Sequence, residues 1–285
     1  MLNSLLKIIP AIAVSILLAS PAQAADTGFE RVTKTGTIQC GYFTWPPYIL
    51  KDANSGKLSG LNYDIMEAIA KNLGLKTEWT LDVGVGDVAA ALNANKFDVM
   101  CASVWTNPAR LKTLTLTNPT LYSVVYAFVR ADDARFDNDL SKVNDKTVRI
   151  SGIDTDYSQD IAKEKFPNAK QVMLPQTASG SETLMQVVSK KADIVFVDQG
   201  LVNEFLKTNP GTLRQVKGVE PVRIYGEVLS VRQGDILLKN MLDIAITQLT
   251  NDGTIARLVA KYSKENNSTM YAPGKTYTID TAPGR

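Results

Sequence analysis

Residues 94–103 read ANKFDVMCAS, and residues 189–198 read SKKADIVFVD. Each stretch runs from a helix end through lysine to an aspartate that opens an apolar run. Nearly continuous apolar runs of this length are typical of buried strands in parallel sheets. The repeated pattern predicts two α/β units, and it places Ser103 in one and Asp198 in the other at the point where the strand ends.

The rest of the chain alternates in the same way. The predicted strands lie at about 38–43, 76–83, 97–104, 147–151, 170–174 and 193–197. The predicted helices lie at about 62–73 with Asn62 as cap, 86–94, 157–165, 181–189 and, as a pair, 236–262. Strands that alternate with helices indicate doubly wound α/β lobes. The extended segments 114–130 and 222–231 cross between the lobes, which predicts a two-strand hinge.

The first 24 residues are predicted to be a cleaved signal peptide. Lys7 precedes the apolar run 8–19, and a small-residue cleavage motif, AQA, follows at 22–24. This arrangement is typical of secretory signals. The apolar run is too short to cross a bilayer, and no cysteine at the cleavage point could carry a lipid anchor. We therefore expect export to a bacterial periplasm.

Composition argues against several functional classes. The 31 basic and 29 acidic residues are scattered without a polybasic block, so nucleic acid is not an expected partner. The absence of histidine excludes Ser-His-Asp and Cys-His catalysis and histidine-containing zinc sites. The segment GVGDVA at 84–89 fits a dinucleotide-binding pattern, but the acidic residue expected after the next strand is missing. We expect neither a metal nor a cofactor.

The two cysteines, Cys40 and Cys101, each lie near the end of a predicted strand. An oxidising compartment allows one disulfide between them. The bridge is feasible if the two strands are neighbours, and the alternative is a pair of buried thiols.

Three polar or aromatic segments follow predicted strands, at the edge where open α/β sheets bind ligands. They are YFTWPPY at 42–48, SVWTNPAR at 103–110 and VDQG at 197–200. The segment SGIDTDY at 151–157 adds Gly152, Asp154 and Thr155 just before a predicted helix, where backbone amides could bind an anionic group. The Arg110 guanidinium could bind a carboxylate through two parallel hydrogen bonds. Asp198 could either cap the next helix or accept a ligand ammonium. The candidate ligand-binding residues are Tyr42, Trp45, Ser103, Trp105, Asn107, Arg110, Gly152, Asp154, Thr155 and Asp198.

These pieces together resemble the family 3 extracellular solute-binding proteins, which are the polar amino-acid receptors of ABC importers. The resemblance rests on PPY at 46–48, the segments 58–76, 91–100, 190–198, 224–231 and 251–263, and Arg110, which run in family order over nearly the whole chain. It implies a type II periplasmic binding protein fold. Lobe 1 would comprise 25–123 and 227–285, and lobe 2 would comprise 124–226. The lobes would close on a ligand through the hinge.

The resemblance also implies roles for individual residues. Trp45 matches the stacking aromatic, Arg110 the carboxylate-binding arginine and Asp198 the ammonium-binding aspartate. Ser103 matches a residue whose backbone carbonyl faces the ligand, whereas Tyr48 is expected to pack away from it. Tyr42, Trp105 and Asn107 depart from the family pattern and make the cleft more aromatic. Such a cleft suits a cationic or methylated ammonium group, or a flat ring. Trp105 could instead turn inward as core.

The expected function is a monomeric, non-enzymatic receptor that delivers an amino acid or an amino-acid-like zwitterion or cation to an ABC permease complex in the inner membrane. One alternative is an exported enzyme that resembles cyclohexadienyl dehydratase, with Asp154 or Asp198 as proton donor. Another is a sensor without an importer, in which the tail 266–285 wraps lobe 1 or touches a partner.

Overall fold

The computed structural model describes residues 27–106 and 108–276, except for the side chain of Ala109. The predicted signal peptide, Asn107 and residues 277–285 lie outside the described residues. Within the described ranges, no helix combines the length and apolar character needed to cross a bilayer.

The fold is a mixed α/β arrangement in which helices flank a central sheet. The strands are β1 Thr37–Tyr42, β2 Leu50–Lys51, β3 Leu58–Ser59, β4 Lys76–Asp82, β5 Val99–Trp105, β6 Leu114–Arg130, β7 Arg149–Ile153, β8 Lys170–Leu174, β9 Ile194–Asp198, β10 Leu213–Gln215, β11 Arg223–Arg232 and β12 Met270–Tyr271. The helices are α1 Gly28–Thr35, α2 Leu61–Asn72, α3 Val88–Asn93, α4 Pro108–Leu111, α5 Tyr157–Lys165, α6 Gly180–Val188, α7 Gln199–Thr208, α8 Ile236–Asn251 and α9 Thr254–Asn266, with short 3-10 turns at Val85–Asp87 and Leu140–Val143.

The sheet is built from two parallel halves joined by two long antiparallel strands. The strand order is β4-β1-β5-β11-β6-β9-β7-β8. Strands β4, β1 and β5 are parallel in the first half, and β9, β7 and β8 are parallel in the second. Strands β6 and β11 pair with each other from Arg223 opposite Val125 to Arg232 opposite Leu114. The predicted lobe boundaries fall inside these crossing strands, and they stay a prediction.

The two aspartates of the repeated stretch play the same structural part in the two lobes. Asp98 accepts hydrogen bonds from the Gln39 backbone N–H at 3.0 Å and from Arg31 Nη2 at 2.6 Å. Asp193 accepts from the Arg149 backbone N–H at 2.9 Å and from Arg149 Nε at 3.0 Å. In each lobe the carboxylate therefore ties the start of one strand to its parallel neighbour.

Each lobe buries its own apolar clusters on both faces of the sheet. In the first lobe, Ile65 and Leu242 pack on one face and Leu92 and Phe97 on the other. In the second lobe, Ile161 and Phe196 pack on one face and Leu184 and Val195 on the other. This covering of both sheet faces explains why the parallel strands read as apolar runs.

The cysteine pair is a disulfide. Strands β1 and β5 are neighbours, with Cys40 opposite Val99, and the Cα atoms of Cys40 and Cys101 lie 5.4 Å apart. The predicted condition for a bridge is met, and the bridge closes a loop across 61 positions of sequence.

The predicted cap of helix α2 is wrong. The helix begins at Leu61 after Gly60, whose φ of 120° favours glycine, and Asn62 is buried inside the first turn. A Cβ atom on Gly60 would lie 2.4 Å from the Tyr48 carbonyl oxygen. The backbone N–H groups of Leu61 and Asn62 have no acceptor within the helix or from a capping side chain. They donate to the carbonyls of Pro47 and Tyr48, at 3.2 and 2.9 Å. The start of α2 thereby fixes the loop that carries Trp45.

Candidate ligand-binding site

A cavity lies between the two lobes at the carboxyl ends of the first-lobe strands. It is lined by Phe43, Trp45, Tyr48, Ile49, Asn62, Val85, Ala102, Ser103, Val104, Trp105, Arg110, Asp156, Tyr157 and Glu227. The cavity has a volume of about 40 Å³, which is room for a few water molecules. A larger solute therefore needs the lobes or the lining side chains to move apart.

Trp45 reaches from the first lobe to the second. Its loop is closed by the hydrogen bond from Ile49 N to the Trp45 carbonyl at 3.0 Å. Its indole Nε1 donates to Asp198 Oδ2 at 3.2 Å. The ring thus lies across the boundary between the lobes, on the wall of the cavity, where the sequence predicted it.

Trp105 is both a wall of the cavity and part of the packed interior. Its ring is 6% exposed, stacks on Tyr225 with 4.9 Å between ring centroids and lies 3.6 Å from the centroid of Tyr157. Tyr225 belongs to crossing strand β11, and Tyr157 begins helix α5 of the second lobe. Trp105 therefore lines the cavity, as one predicted alternative had it, and also packs in the core, as the other had it.

Arg110 lies in the cavity wall and bridges the lobes. One guanidinium nitrogen donates to the Trp105 carbonyl at 2.6 Å, and the other donates to Asp156 Oδ1 at 3.3 Å. Burial raises the pKa of Asp156, although the Arg110 charge acts in the opposite direction. The sequence prediction did not include Asp156. Its carboxylate occupies the position on Arg110 that the carboxylate of a ligand would otherwise take.

Glu227 is a buried acid in the cavity wall. It is 3% exposed, accepts a hydrogen bond from the Ser103 hydroxyl and accepts a second from Trp105 Nε1 at 2.6 Å. Burial raises the pKa of Glu227 to about 7, against the effect of these donors. In the part of the chain that the structure describes, no lysine or arginine forms an ion pair with it.

Asn62 extends this hydrogen-bonded chain to the far wall. Its Nδ2 donates to Ser103 Oγ at 2.6 Å. Its Oδ1 is buried and has no hydrogen-bond partner among the described residues. Buried acceptors without partners are rare in folded proteins, and each calls for an explanation.

Tyr42 does not lie where the sequence predicted. Its ring packs in the first lobe with an edge contact to Trp79 at 6.1 Å, and its hydroxyl oxygen accepts from Lys51 Nζ at 3.3 Å. Tyr42 ends strand β1, and successive side chains of a strand point to opposite faces. Phe43 consequently faces the cavity instead. Tyr48, which was expected to pack away from the ligand, also lines the cavity.

Asp198 is the N-cap of α7, which is the first of the two roles considered from the sequence. Its Oδ1 accepts from the Leu201 backbone N–H at 2.9 Å, while Oδ2 holds Trp45. It is 2% exposed and does not line the cavity. Burial raises the pKa of Asp198 to about 6.

The remaining predicted residues of the second lobe lie around the cavity rather than in it. Asp154 and Thr155 line an adjacent cleft of about 240 Å³ that also contacts Arg110 and Gln176. Gly152 lies beneath Trp45 and Tyr157, and a Cβ atom there would lie 2.5 Å from Ser158 Oγ. The small residue is needed for close packing of β7 against α5.

Among the polar and aromatic lining residues, the sequence prediction omitted Phe43, Tyr48, Asn62, Asp156, Tyr157 and Glu227. Glu227 carried a readable signal, because an acid inside the otherwise apolar segment IYGEVLSV is rarely buried without a purpose. Asn62 was interpreted as the cap of α2, and Asp156 and Tyr157 were not singled out individually.

A family comparison decides the classification. The model of the bacterial extracellular solute-binding proteins, family 3, matches residues 38–265. The chain belongs to this family. The chain is similar to the ABC transporter arginine-binding protein 1 of Escherichia coli, which is 24% identical over 217 residues, or 75% of this chain and 85% of that protein.

One relative is longer than this chain. The membrane-bound lytic murein transglycosylase F of Cronobacter sakazakii is 23% identical over 271 residues, which is 93% of this chain but only 51% of the relative. The probable ABC transporter extracellular-binding protein YckB of Bacillus subtilis is 26% identical over 180 residues, which is 62% of this chain and 61% of the relative. The relatives therefore include both binding proteins and a longer chain named as an enzyme.

Solved structures of the family 3 type have the same fold. An ancestral arginine-binding protein bound to glutamine is 26% identical with a TM-score of 0.68, over 80% of this chain and 97% of that one. The ancestral amino acid-binding protein AncCDT-1, described as a precursor of cyclohexadienyl dehydratase, is 24% identical with a TM-score of 0.70, over 83% and 99%. The chain has the two-lobed type II periplasmic binding protein fold.

Proposed function

We propose that the protein is the substrate-binding receptor of an ABC importer and captures an amino acid, or an amino-acid-like zwitterion or cation, between its lobes. The observation that carries this proposal is the cavity between the lobes, which brings a guanidinium, two buried carboxyl groups and five aromatic rings together. Membership of family 3 and the amino-acid ligands named for several relatives support it.

Arg110 would bind the carboxylate of the ligand. Its contact with Asp156 crosses from one lobe to the other, so parting the lobes would break that pair and free the guanidinium to face the solute. A carboxylate of the solute would then replace that of Asp156 and could form two parallel hydrogen bonds with Arg110. Trp45 and Trp105 would cover the solute from the two sides of the lobe boundary.

The partners follow from the same proposal. The receptor would act as a monomer in the periplasm and deliver its solute to a permease complex in the inner membrane. The wider cleft that contains Asp154 and Thr155 would admit the part of the solute that extends outside the cavity.

A thermal-shift screen tests the proposed function. The purified protein would be heated with each proteinogenic amino acid, betaines, opines, polyamines and aromatic acids. A solute that binds only the folded protein must raise the melting temperature. We expect the largest increases from amino acids or related cations. An increase from aromatic or cyclic dicarboxylic acids alone would contradict the proposal.

A second candidate function is a dehydratase that acts on a cyclic acid, because Glu227 could donate a proton from within the cavity. A buried carboxyl with its pKa near neutrality is suited to general acid catalysis. Formation of product from prephenate or arogenate, lost in Glu227→Gln, would establish this function in place of the receptor.

A further inference from the structure

We propose that the ammonium group of the solute binds inside the aromatic cavity, with Glu227 as its counter-ion and Asn62 Oδ1 as a hydrogen-bond acceptor, rather than at Asp198. The inference rests on the proposed function, which it makes specific. It assigns the receptor to solutes whose ammonium nitrogen carries at least one hydrogen.

The charge of the cavity favours a cation. The charged side chains that line it are Arg110, Asp156 and Glu227. Arg110 and Asp156 are paired with each other, whereas the donors that act on the Glu227 carboxyl group are the neutral side chains of Ser103, Trp105 and Ser123. A buried carboxylate that lacks a charged partner is costly. A bound ammonium would supply that partner.

The hydrogen-bonding groups of the cavity favour a donor on the solute. Asn62 is 3% exposed, and its Oδ1 has no partner among the described residues. One N–H of its Nδ2 donates to Ser103, so the atom of the side chain that lacks a partner is the acceptor Oδ1. An ammonium N–H would satisfy Oδ1, whereas a second carboxylate in its place would not.

The rings complete a cage of the kind that binds ammonium groups. Phe43, Trp45, Tyr48, Trp105 and Tyr157 all line the same space. Phe43 and Trp45 meet edge to face at 6.4 Å, so their ring planes provide walls in two directions. Ring faces attract cations most strongly where water is excluded.

Asp198 is poorly placed for the same task. One of its oxygens caps α7 and the other accepts from Trp45, and its side chain does not line the cavity. Its contribution is to position Trp45, since loss of the Nε1 contact would release the indole from the wall.

Titration calorimetry on the full chain tests the inference. The probes are L-arginine, L-lysine, L-glutamine and agmatine, the amine that retains the cationic groups of arginine without its carboxylate. They would be titrated into wild type, Glu227→Gln, Asn62→Leu and the control Glu220→Gln, which removes an acid from the exposed surface. Circular dichroism would establish that each variant is folded.

We expect every probe that binds wild type to bind Glu227→Gln at least about tenfold more weakly, as for loss of a charged hydrogen-bond partner. Asn62→Leu should weaken binding severalfold, and Glu220→Gln should leave it within about twofold. Unchanged amino-acid binding in folded Glu227→Gln and Asn62→Leu would overturn the inference but leave the proposed function standing. Binding of agmatine alone, dependent on Glu227, would overturn the amino-acid receptor and support the ammonium site. If no probe binds wild type, both fail.

Discussion

Burial of Glu227 couples the stability of the protein to pH. The pKa of Glu227 is raised from its ordinary value of 4.5 to about 7 because the folded protein excludes water from the carboxyl group, and the nearby Asp198 adds to the rise. Tyr48, Tyr157 and the Arg110–Asp156 pair line the same cavity. The folded state therefore holds this proton more tightly than the unfolded chain does.

We expect the contribution of Glu227 to be fully present below about pH 4.5 and lost as the pH rises to about 7, a change of about 3 kcal/mol in the free energy of unfolding. Urea unfolding at pH 5 and pH 7.5 would measure it. Wild type should lose more stability over this interval than Glu227→Gln, which keeps Asp198, whose pKa is also raised, but lacks the carboxyl group of Glu227. Parallel pH dependence in the two proteins would contradict this account.

Arg110 gives the second prediction for a single residue. Replacement by alanine should weaken binding of any carboxylate-bearing amino acid by about 2 kcal/mol or more, because a charge-assisted pair is lost. Calorimetry with the strongest solute of the thermal-shift screen would measure the loss. The control is Arg257→Ala, which removes an exposed arginine of helix α9. Wild-type affinity in Arg110→Ala would refute the assignment.

Sequence reasoning located strand ends better than it located side chains. It selected Trp45, Ser103, Trp105 and Arg110, all of which lie in or on the cavity wall. It placed Tyr42 in the cleft although Phe43 lies there, because a one-residue difference at the end of a strand exchanges the two faces. Glu227 lies far along the chain from these residues, and only the pairing of β11 with β5, Glu227 opposite Trp105, brings it to them.

Among the elements, strands β1 and β5 are held by a covalent bond as well as by the sheet. The disulfide between Cys40 and Cys101 spans 61 positions, and the loop-closure estimate for that length is about 4 kcal/mol. We expect the double variant Cys40→Ala and Cys101→Ala to lose stability of that order in urea unfolding. Treatment of wild type with a reductant under the same conditions serves as comparison. A loss below about 0.5 kcal/mol would show that packing alone holds the strands.

Element prediction succeeded where the pattern is local. The helix Tyr157–Lys165 and the strand Lys170–Leu174 have the predicted bounds, because apolar spacing and turn residues mark both ends of each element. The predicted cap of helix α2 was wrong, because Gly60 is the N-cap and the Asn62 side chain is directed inward to Ser103 by the tertiary fold. The tertiary contact outweighs the local capping preference.

At the scale of the whole molecule, the two lobes are joined by crossing strands and by side-chain contacts. Strands β6 and β11 cross between them, and the pairs Trp45–Asp198 and Arg110–Asp156 bridge them at the cavity. A further contact lies near β12, where Asn203 Nδ2 of α7 donates to the carbonyls of Asn266 and Asn267 at 2.6 and 3.0 Å. The cavity between the lobes is too small for an amino acid as it stands. Entry of a solute therefore requires the lobes, or the side chains that line the cavity, to move apart.

Small-angle X-ray scattering with and without solute tests the central claim most directly, because it reports the separation of the lobes in solution. The solute is the amino acid with the largest thermal shift, at a concentration that calorimetry shows to be saturating. We expect the radius of gyration to be larger without the solute than with it, since binding selects the closed arrangement. An identical radius of gyration in the two states, with binding demonstrated in the same sample, would contradict capture of the solute by lobe closure.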